Sequence, residues 1–138
     1  MKAVVQRVSA AAVTVGGEEV SRIGPGMVVL LGVGAGDTAR EAERMASKLG
    51  RLRIFSDREG RMNEPLGARE VLCVSQFTLY GDTSKGNRPS WFGAAPGEVA
   101  EPLYEMVCEL LEAEKGLFGA DMRVDISGDG PVTVLIDI

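Results

Sequence analysis

The sequence predicts a mixed α/β domain with a curved, barrel-like β-sheet core of about eight strands, hairpin-rich, and two main helices packed on one side. Three observations predict it. Polar and apolar residues alternate around glycine turns near both ends of the chain. Two segments, Ala39 to Leu49 and one within Gly97 to Glu114, carry apolar residues at helical spacing. Two continuous apolar stretches, Met27 to Leu31 and one starting at Val71, suit strands buried on both faces. No linker, repeat or low-complexity stretch interrupts the 138 residues, so residues 1–138 read as a single domain with one hydrophobic core.

Each element has a local reason. Val4 and Val8 flank polar Gln6, and Val13 and Val15 alternate with Thr14, the period-two pattern of half-buried strands. Gly16-Gly17 is a hairpin turn leading into a strand over about Glu18 to Ile23. Gly24-Pro25-Gly26 turns the chain into the central strand Met27 to Leu31. Asp37 or Thr38 caps the first helix with a side-chain oxygen, and Ala39, Ala42, Met45, Ala46 and Leu49 form its inward stripe. A strand near Leu52 to Phe55 and a turn over Ser56 to Gly60 follow. Val71 to Tyr80 begins as a buried strand, and a polar loop, Gly81 to Pro89, comes after it. The second helix has Val99, Leu103, Met106, Val107, Leu110 and Leu111 as its apolar face and Gly116 as its terminator. Its Pro102 must sit in the first turns or kink it. Strands near Met122 to Ile126 and Val132 to Ile138 close the chain around the turn Ser127 to Pro131. The terminal hairpins predict antiparallel pairing, and the strand–helix–strand middle allows parallel pairing.

Composition narrows the chemistry. Hydrophobic residues make up 45% and charged residues 25%, an ordinary globular balance. The longest apolar run, Met27 to Val33, is far short of the roughly 20 residues a bilayer requires. Gln6 and Arg7 interrupt the one stretch that imitates a signal peptide, so a soluble cytoplasmic protein with no membrane association is expected. Cys73 and Cys108 sit among apolar residues and read as buried free thiols. There is no histidine, which removes the Ser-His-Asp triad, the Cys-His dyad and histidine-ligated zinc together. The net charge of −5 argues against generic nucleic-acid binding, yet the charge is segregated. Arg44, Lys48, Arg51, Arg53, Arg58 and Arg61 lie close in sequence with only Asp57 and Glu59 among them, whereas Glu98 to Glu114 holds glutamates and no basic residue. The basic stretch could meet phosphates, and ordinary solvated charge explains it equally well.

Three segments invite a chemical reading. Gly32-Val33-Gly34-Ala35-Gly36 lies between a strand and a helix, but Asp37 brings a negative charge where a dinucleotide's pyrophosphate would sit. Ser75-Gln76-Phe77-Thr78-Leu79-Tyr80 crowds hydroxyls, an amide and backbone N–H groups at a strand end, where they can meet a ligand. Ser75 or Thr78 would need an activating base to act as a nucleophile, and only a lysine, a carboxylate or the substrate could supply it. Gly128-Asp129-Gly130-Pro131 is turn material by composition, and a cis bond before Pro131 is open to it.

These segments together resemble the D-aminoacyl-tRNA deacylase family over essentially the whole chain. Gln6-Arg7-Val8 and Ala12 to Val15 are similar to its opening, and Arg53 to Asp57 with Gly60 and Met62-Asn63 to its middle. Ser75 to Leu79 is its first hallmark and Gly130-Pro131-Val132-Thr133 its second, with Arg88-Pro89-Ser90 and Phe118 to Met122 also matching. Two positions depart from the family pattern: Gly128 stands where asparagine is usual, and Lys115 where threonine is common. The resemblance implies hydrolysis of D-aminoacyl-tRNA, and of glycyl-tRNA mischarged on tRNA(Ala), by a homodimer with its active site at the interface and no metal or cofactor. It implies that Ser75, Gln76, Phe77 and Thr78 line the pocket and contact the oxyanion. Gly130 and Pro131, joined by a cis bond and held by Arg7, would enter the partner's pocket and reject L-amino acids sterically, with Phe118 and Met122 also at the substrate. The tRNA's 2′-hydroxyl would assist the cleavage, which suits a chain without histidine. Arg51, Arg53, Lys85 and Arg88 are the expected tRNA contacts.

Two alternatives belong to other classes. One is a protein-catalysed esterase using Thr78 as nucleophile, which would leave an acyl-enzyme. The other is a non-catalytic nucleic-acid-binding module, disfavoured by the acidic balance and an aromatic content of 5%.

Overall fold

A computed structural model describes all 138 residues. Its elements are β1 (Lys2–Val15), β2 (Glu18–Ile23), β3 (Gly26–Gly32), α1 (Ala39–Gly50), β4 (Phe55–Ser56), β5 (Met62–Glu64), β6 (Glu70–Ser75), a 3-10 turn (Phe77–Tyr80), α2 (Gly97–Leu110), β7 (Glu114–Lys115) and β8 (Met122–Asp137). The main sheet runs β2-β1-β3-β6-β7, with β8 on the other edge of β1. Pairings of β1 with β2, β3 and β8 are antiparallel, while β3–β6 and β6–β7 are parallel. The sheet curls until β2 approaches β6 and β7, which gives the nearly closed barrel. No helix is long and apolar enough to cross a membrane.

The continuous apolar strands are buried on both faces, as their composition demands. Met27, Val29 and Leu31 of β3, with Val71 and Cys73 of β6, face α1 and α2. Val28 and Leu30 of β3, with Leu72 and Val74 of β6, face a second, smaller core inside the curl. Ala3 and Val5 of β1 join the helix-side core, whereas Val8, Ala11 and Val13 join the inner one. That change of face has a local cause. Val8 pairs with Gly128 and Ala10 with Ser127, so β1 carries one extra residue there, a bulge that resets the side-chain alternation.

Several expectations need correction. The residues before Gly16 form one continuous 14-residue strand. The strand expected at Leu52 to Phe55 shrinks to Phe55–Ser56 and pairs with β5, which periodicity missed because it has only three residues. The two C-terminal strands do not form a hairpin with each other: both pair with β1, as one strand interrupted by an outward bulge. α2 ends at Leu110, short of Gly116, because Glu112 adopts a left-handed φ of 51°. Its buried stripe is Ala100, Tyr104, Val107 and Cys108, while Val99 and Leu110 are exposed. Hydrophobicity alone could not choose between two partly apolar faces of one helix. Pro102 lies inside α2, at the cost of one backbone bond near the helix start.

Thr38, not Asp37, caps α1: its hydroxyl accepts from the Arg40 N–H, and Glu41 reaches back to the Thr38 N–H at 2.9 Å. Asp37 instead takes the Met1 ammonium at 2.8 Å and the Gly34 N–H at 2.6 Å, filling the space beside the glycine-rich turn. Cys73 and Cys108 are buried and free.

The β3–β6 junction sets the tightest steric condition. A Cβ on Gly26 would lie 1.9 Å from the Glu70 carbonyl oxygen, so the paired backbones leave no room for one. Gly26→Ala is expected to cost about 3 kcal/mol. Equilibrium urea unfolding measures it, and an unshifted midpoint would show that the two strands separate without penalty.

Candidate active site

A cleft of about 510 Å³ opens where β6 ends, bounded by the start of α2 and the segment Phe118 to Met122. Its walls are apolar: Val33, Val74, Phe118, Met122 and Val124, with the small residues Ala95, Gly97 and Ala100 leaving the space open. Ser75, Gln76 and Phe77 form its polar rim. None of the 13 lining residues carries a side chain that ionises near neutral pH. The motif at the end of β6 and the Phe118 to Met122 segment therefore meet, although more than 40 residues separate them in the chain. The small residues at the start of α2 were not singled out from sequence. Gly97 figures there only as the near limit of the second helix.

The strand ends at Ser75 because the chain tightens into a 3-10 turn. The Gln76 N–H donates to the Leu31 carbonyl at 2.7 Å, and Leu79 N–H to the Gln76 carbonyl at 3.2 Å. The N–H groups of Phe77 and Thr78 open this turn and have no acceptor in the protein. Two adjacent backbone donors thus stand free at the rim of an apolar cleft. Thr78 is exposed and lies just beyond the lining, where the Gln76 side-chain amide donates to its hydroxyl. An amide donor cannot accept the threonine proton, so it is no general base.

The Gly130-Pro131 turn is built by a mismatch of register. Gln6 pairs with Thr133 and Val8 with Gly128, so residues 129–132 must leave the ladder. Arg7 lies on β1 at that gap. Its guanidinium donates to the Asp129 carbonyl at 3.2 Å and the Ile54 carbonyl at 2.8 Å, and pairs with the Asp129 carboxylate at 3.1 Å. The Gly130–Pro131 bond is cis, and Gly130 has φ +125° with Arg7 Nη2 only 3.1 Å from where a Cβ would lie. By contrast, a Cβ at Gly128 would meet nothing, and Lys115 forms an ion pair with Glu105. Arg7, Gly130 and Pro131 do not line the cleft of their own chain. Pro131 stands seven residues beyond Val124 along β8, in the segment that leaves the ladder.

The basic residues divide into engaged and free. Arg51 bonds to the Ser47 carbonyl and hydroxyl, and Arg53 to Asn63. Arg61 pairs with Asp57 and Glu59. Lys85 and Arg88 are exposed and form no ion pair. No group of three or more His, Cys, Asp and Glu side chains is placed to hold a metal ion.

Comparison with known proteins gives a consistent result. The family model described as D-Tyr-tRNA(Tyr) deacylase matches residues 4–137. A D-aminoacyl-tRNA deacylase of Dehalococcoides mccartyi is 54% identical over 99% of this chain and 94% of its own length. One of Chlorobaculum parvum is 50% identical over 99% and 97%. Among solved structures, the c-Myc DNA Unwinding Element Binding Protein superposes with TM-score 0.94 at 45% identity, covering 100% of this chain and 99% of that one. A probable eukaryotic D-amino acid tRNA deacylase superposes with TM-score 0.85 at 18% identity over 99% and 98%, a likeness of fold.

Tyr80, last residue of the 3-10 turn, gives a titration that reports on this region. Burial, then the carboxylates of Asp37 and Asp137, raise its phenol from 10.0 to about 12. Burial also raises the only other tyrosine, Tyr104, whose hydroxyl donates to the Cys73 carbonyl at 2.8 Å. Raised folded-state values favour the protonated form, so this contribution to stability is complete below the unfolded value of 10.0 and is lost as pH rises towards about 12. Phenolate absorbance should therefore not rise near pH 10 in the folded protein. A full tyrosine titration at that pH would contradict the partial burial of Tyr80 and the burial of Tyr104.

Proposed function

The chain belongs to the D-Tyr-tRNA(Tyr) deacylase family, and from that membership we propose that it hydrolyses the ester of D-aminoacyl-tRNA, releasing free amino acid and tRNA. The observation that carries the chemistry is the pair of free N–H groups at Phe77 and Thr78, on the rim of a cleft with no ionisable side chain. Such a site can hold an oxyanion but cannot take a proton. Water adds to the ester carbonyl carbon while giving up one proton to the 2′-hydroxyl oxygen of the terminal ribose, which relays a proton onward, and the resulting oxyanion accepts from the two N–H groups. The carbon–O3′ bond then breaks, and the 3′ oxygen takes its proton by way of the neighbouring 2′-hydroxyl of the terminal ribose. Ser75 and Gln76 orient the ester, and Phe118 and Met122 close the apolar side.

Chiral selection is assigned to the Gly130-Pro131 turn of a second copy. In a homodimer related by a two-fold axis, each turn fills the other chain's cleft, a reading supported by the turn's lying outside the lining of its own chain's cleft. Arg7 fixes the turn from behind. Backbone atoms against the substrate's α-carbon leave no room for an L side chain, whereas a D side chain points outward. Glycine has no side chain to exclude, so glycyl-tRNA, including that mischarged on tRNA(Ala), is accepted. Lys85 and Arg88, exposed and without ion pairs, are the cations assigned to tRNA phosphates, together with Arg51 and Arg53. A cytoplasmic location follows from the substrate.

Matched D- and L-aminoacyl-tRNA test the reading: the D ester should be cleaved and the L ester spared. Thr78→Ala should keep activity within about tenfold, while a terminal 2′-deoxy substrate should lose ~10³-fold, the scale of an essential group. An acyl ester trapped on Thr78 would instead establish the nucleophile mechanism.

Subunit mixing tests the shared site. Gly130→Ala damages the donated turn and Gln76→Ala the receiving cleft, so each variant alone should be weak. Refolded together in equal amounts, they should recover about a quarter of wild-type sites, because half the dimers then hold one intact cleft facing one intact turn. Activity equal to the mean of the separate variants would place each site within one chain.

A further inference from the structure

The most exposed large apolar side chain in the protein is Phe92, at 95%, and it follows Trp91, at 40%. Neither belongs to the cleft lining. Both stand on a held segment. Asp82 and Ser90 exchange two backbone hydrogen bonds of 2.9 Å on one side of the pair. On the other side, Ala35 N–H donates to the Gly93 carbonyl at 3.0 Å and Ala95 N–H to the Val33 carbonyl at 2.9 Å. Trp91 packs over the Gly81 backbone and meets Phe77 edge-on, with ring centroids 5.3 Å apart. Phe77 lines the cleft, so the Trp91 ring continues its rim outward, and Phe92 is the next residue along the chain. Lys85 and Arg88 lie exposed in the same loop with no carboxylate partner, and Asp82, the loop's only acid, is turned onto the Ser84 N–H at 2.8 Å.

Exposed aromatic rings beside unpaired cations suit a single-stranded nucleic acid: bases stack on the rings while the cations meet phosphates. We infer that Trp91 and Phe92, with Lys85 and Arg88, form a stacking platform for the unpaired nucleotides that precede the terminal adenosine of the substrate tRNA. The identity of the ligand rests on the deacylase reading; the platform itself rests on the exposure, the fixed loop base and the continuity with Phe77. The cleft holds the aminoacyl ester, and the platform receives the strand as it leaves. Positioning by stacking needs no base-specific hydrogen bond, so it serves any tRNA sharing the same single-stranded end.

Trp91 is the only tryptophan, so its fluorescence reports on the platform directly. The trinucleotide cytidylyl-cytidylyl-adenosine should quench it, adenosine alone should quench it far less, and Phe92→Ala should weaken the trinucleotide effect. In kinetics, the wild-type preference in kcat/KM for D-aminoacyl-tRNA over D-aminoacyl-adenosine should fall about tenfold in Phe92→Ala, the scale of one lost stack. No quenching by the trinucleotide, or an equal loss on both substrates, would overturn the platform. Conversion of the protein to monomers by Phe92→Ala would also overturn it, by giving the ring to a subunit contact. If the wild type cleaves neither substrate, the deacylase reading fails, and the fluorescence arm still decides whether the loop stacks nucleotides.

Discussion

The register between β1 and β8 is the constraint on which the rest of the structure depends. β1 is bonded along one edge to β3 and β2 and along the other to β8, so all three take their position from it. One extra residue near Ser9 turns the second half of β1 towards the inner core. Between Gln6 and Val8 the excess lies on β8 instead, and residues 129–132 are pushed out of the sheet. A bulge that leaves a ladder must find other partners for its polar groups. Arg7, at the same gap, supplies one for the Asp129 carbonyl and ties the bulge to Ile54. The outward turn is therefore a rigid product of strand pairing, and Gly130 tolerates the φ it requires.

The cleft shows a different economy. Its surface comes from the ends of elements: the last residues of β6, the first of α2 and the segment entering β8. Both faces of β6 are buried, so its backbone is held from each side. The 3-10 turn that follows inherits that rigidity and presents N–H groups in fixed positions. On the proposed reading, a backbone donor aimed at developing charge costs no reorganisation during the reaction. The substrate's own hydroxyl then does what a histidine does elsewhere, and a protein with none loses nothing by it.

Charge is arranged to match. Arg51, Arg61 and Arg69 are bound to carbonyls or carboxylates within five residues, and Arg53 to the Asn63 carbonyl ten residues on, so these four act as struts. Lys85 and Arg88, in the loop after Tyr80, are exposed and form no ion pair. A net charge of −5 is compatible with the proposed polyanionic substrate, because attraction at short range depends on the local arrangement within about a Debye length.

The sequence by itself determined the periodic elements and the chemical vocabulary. Met27 to Leu31 had to be a strand covered on both faces, Asp37 or Thr38 marked the start of α1, and the absence of histidine excluded most hydrolase machinery. Ser75 to Thr78 and Gly130-Pro131 were visible as motifs because their residue types are unusual together. Only the tertiary structure decided how they are used. The union of the C-terminal segments into β8 depends on pairing with β1, more than 100 residues away in sequence, and no local pattern encodes that register. The buried face of α2 was likewise set by its fit to α1 and the sheet, since both of its faces carry apolar residues. The exclusion of the Gly130-Pro131 turn from the lining of its own cleft, and the free N–H groups of Phe77 and Thr78, arise from where the chain is forced to turn. Side-chain periodicity is a property of neighbours in sequence. Register, packing choice and unsatisfied backbone donors are properties of segments that meet only when the chain has folded.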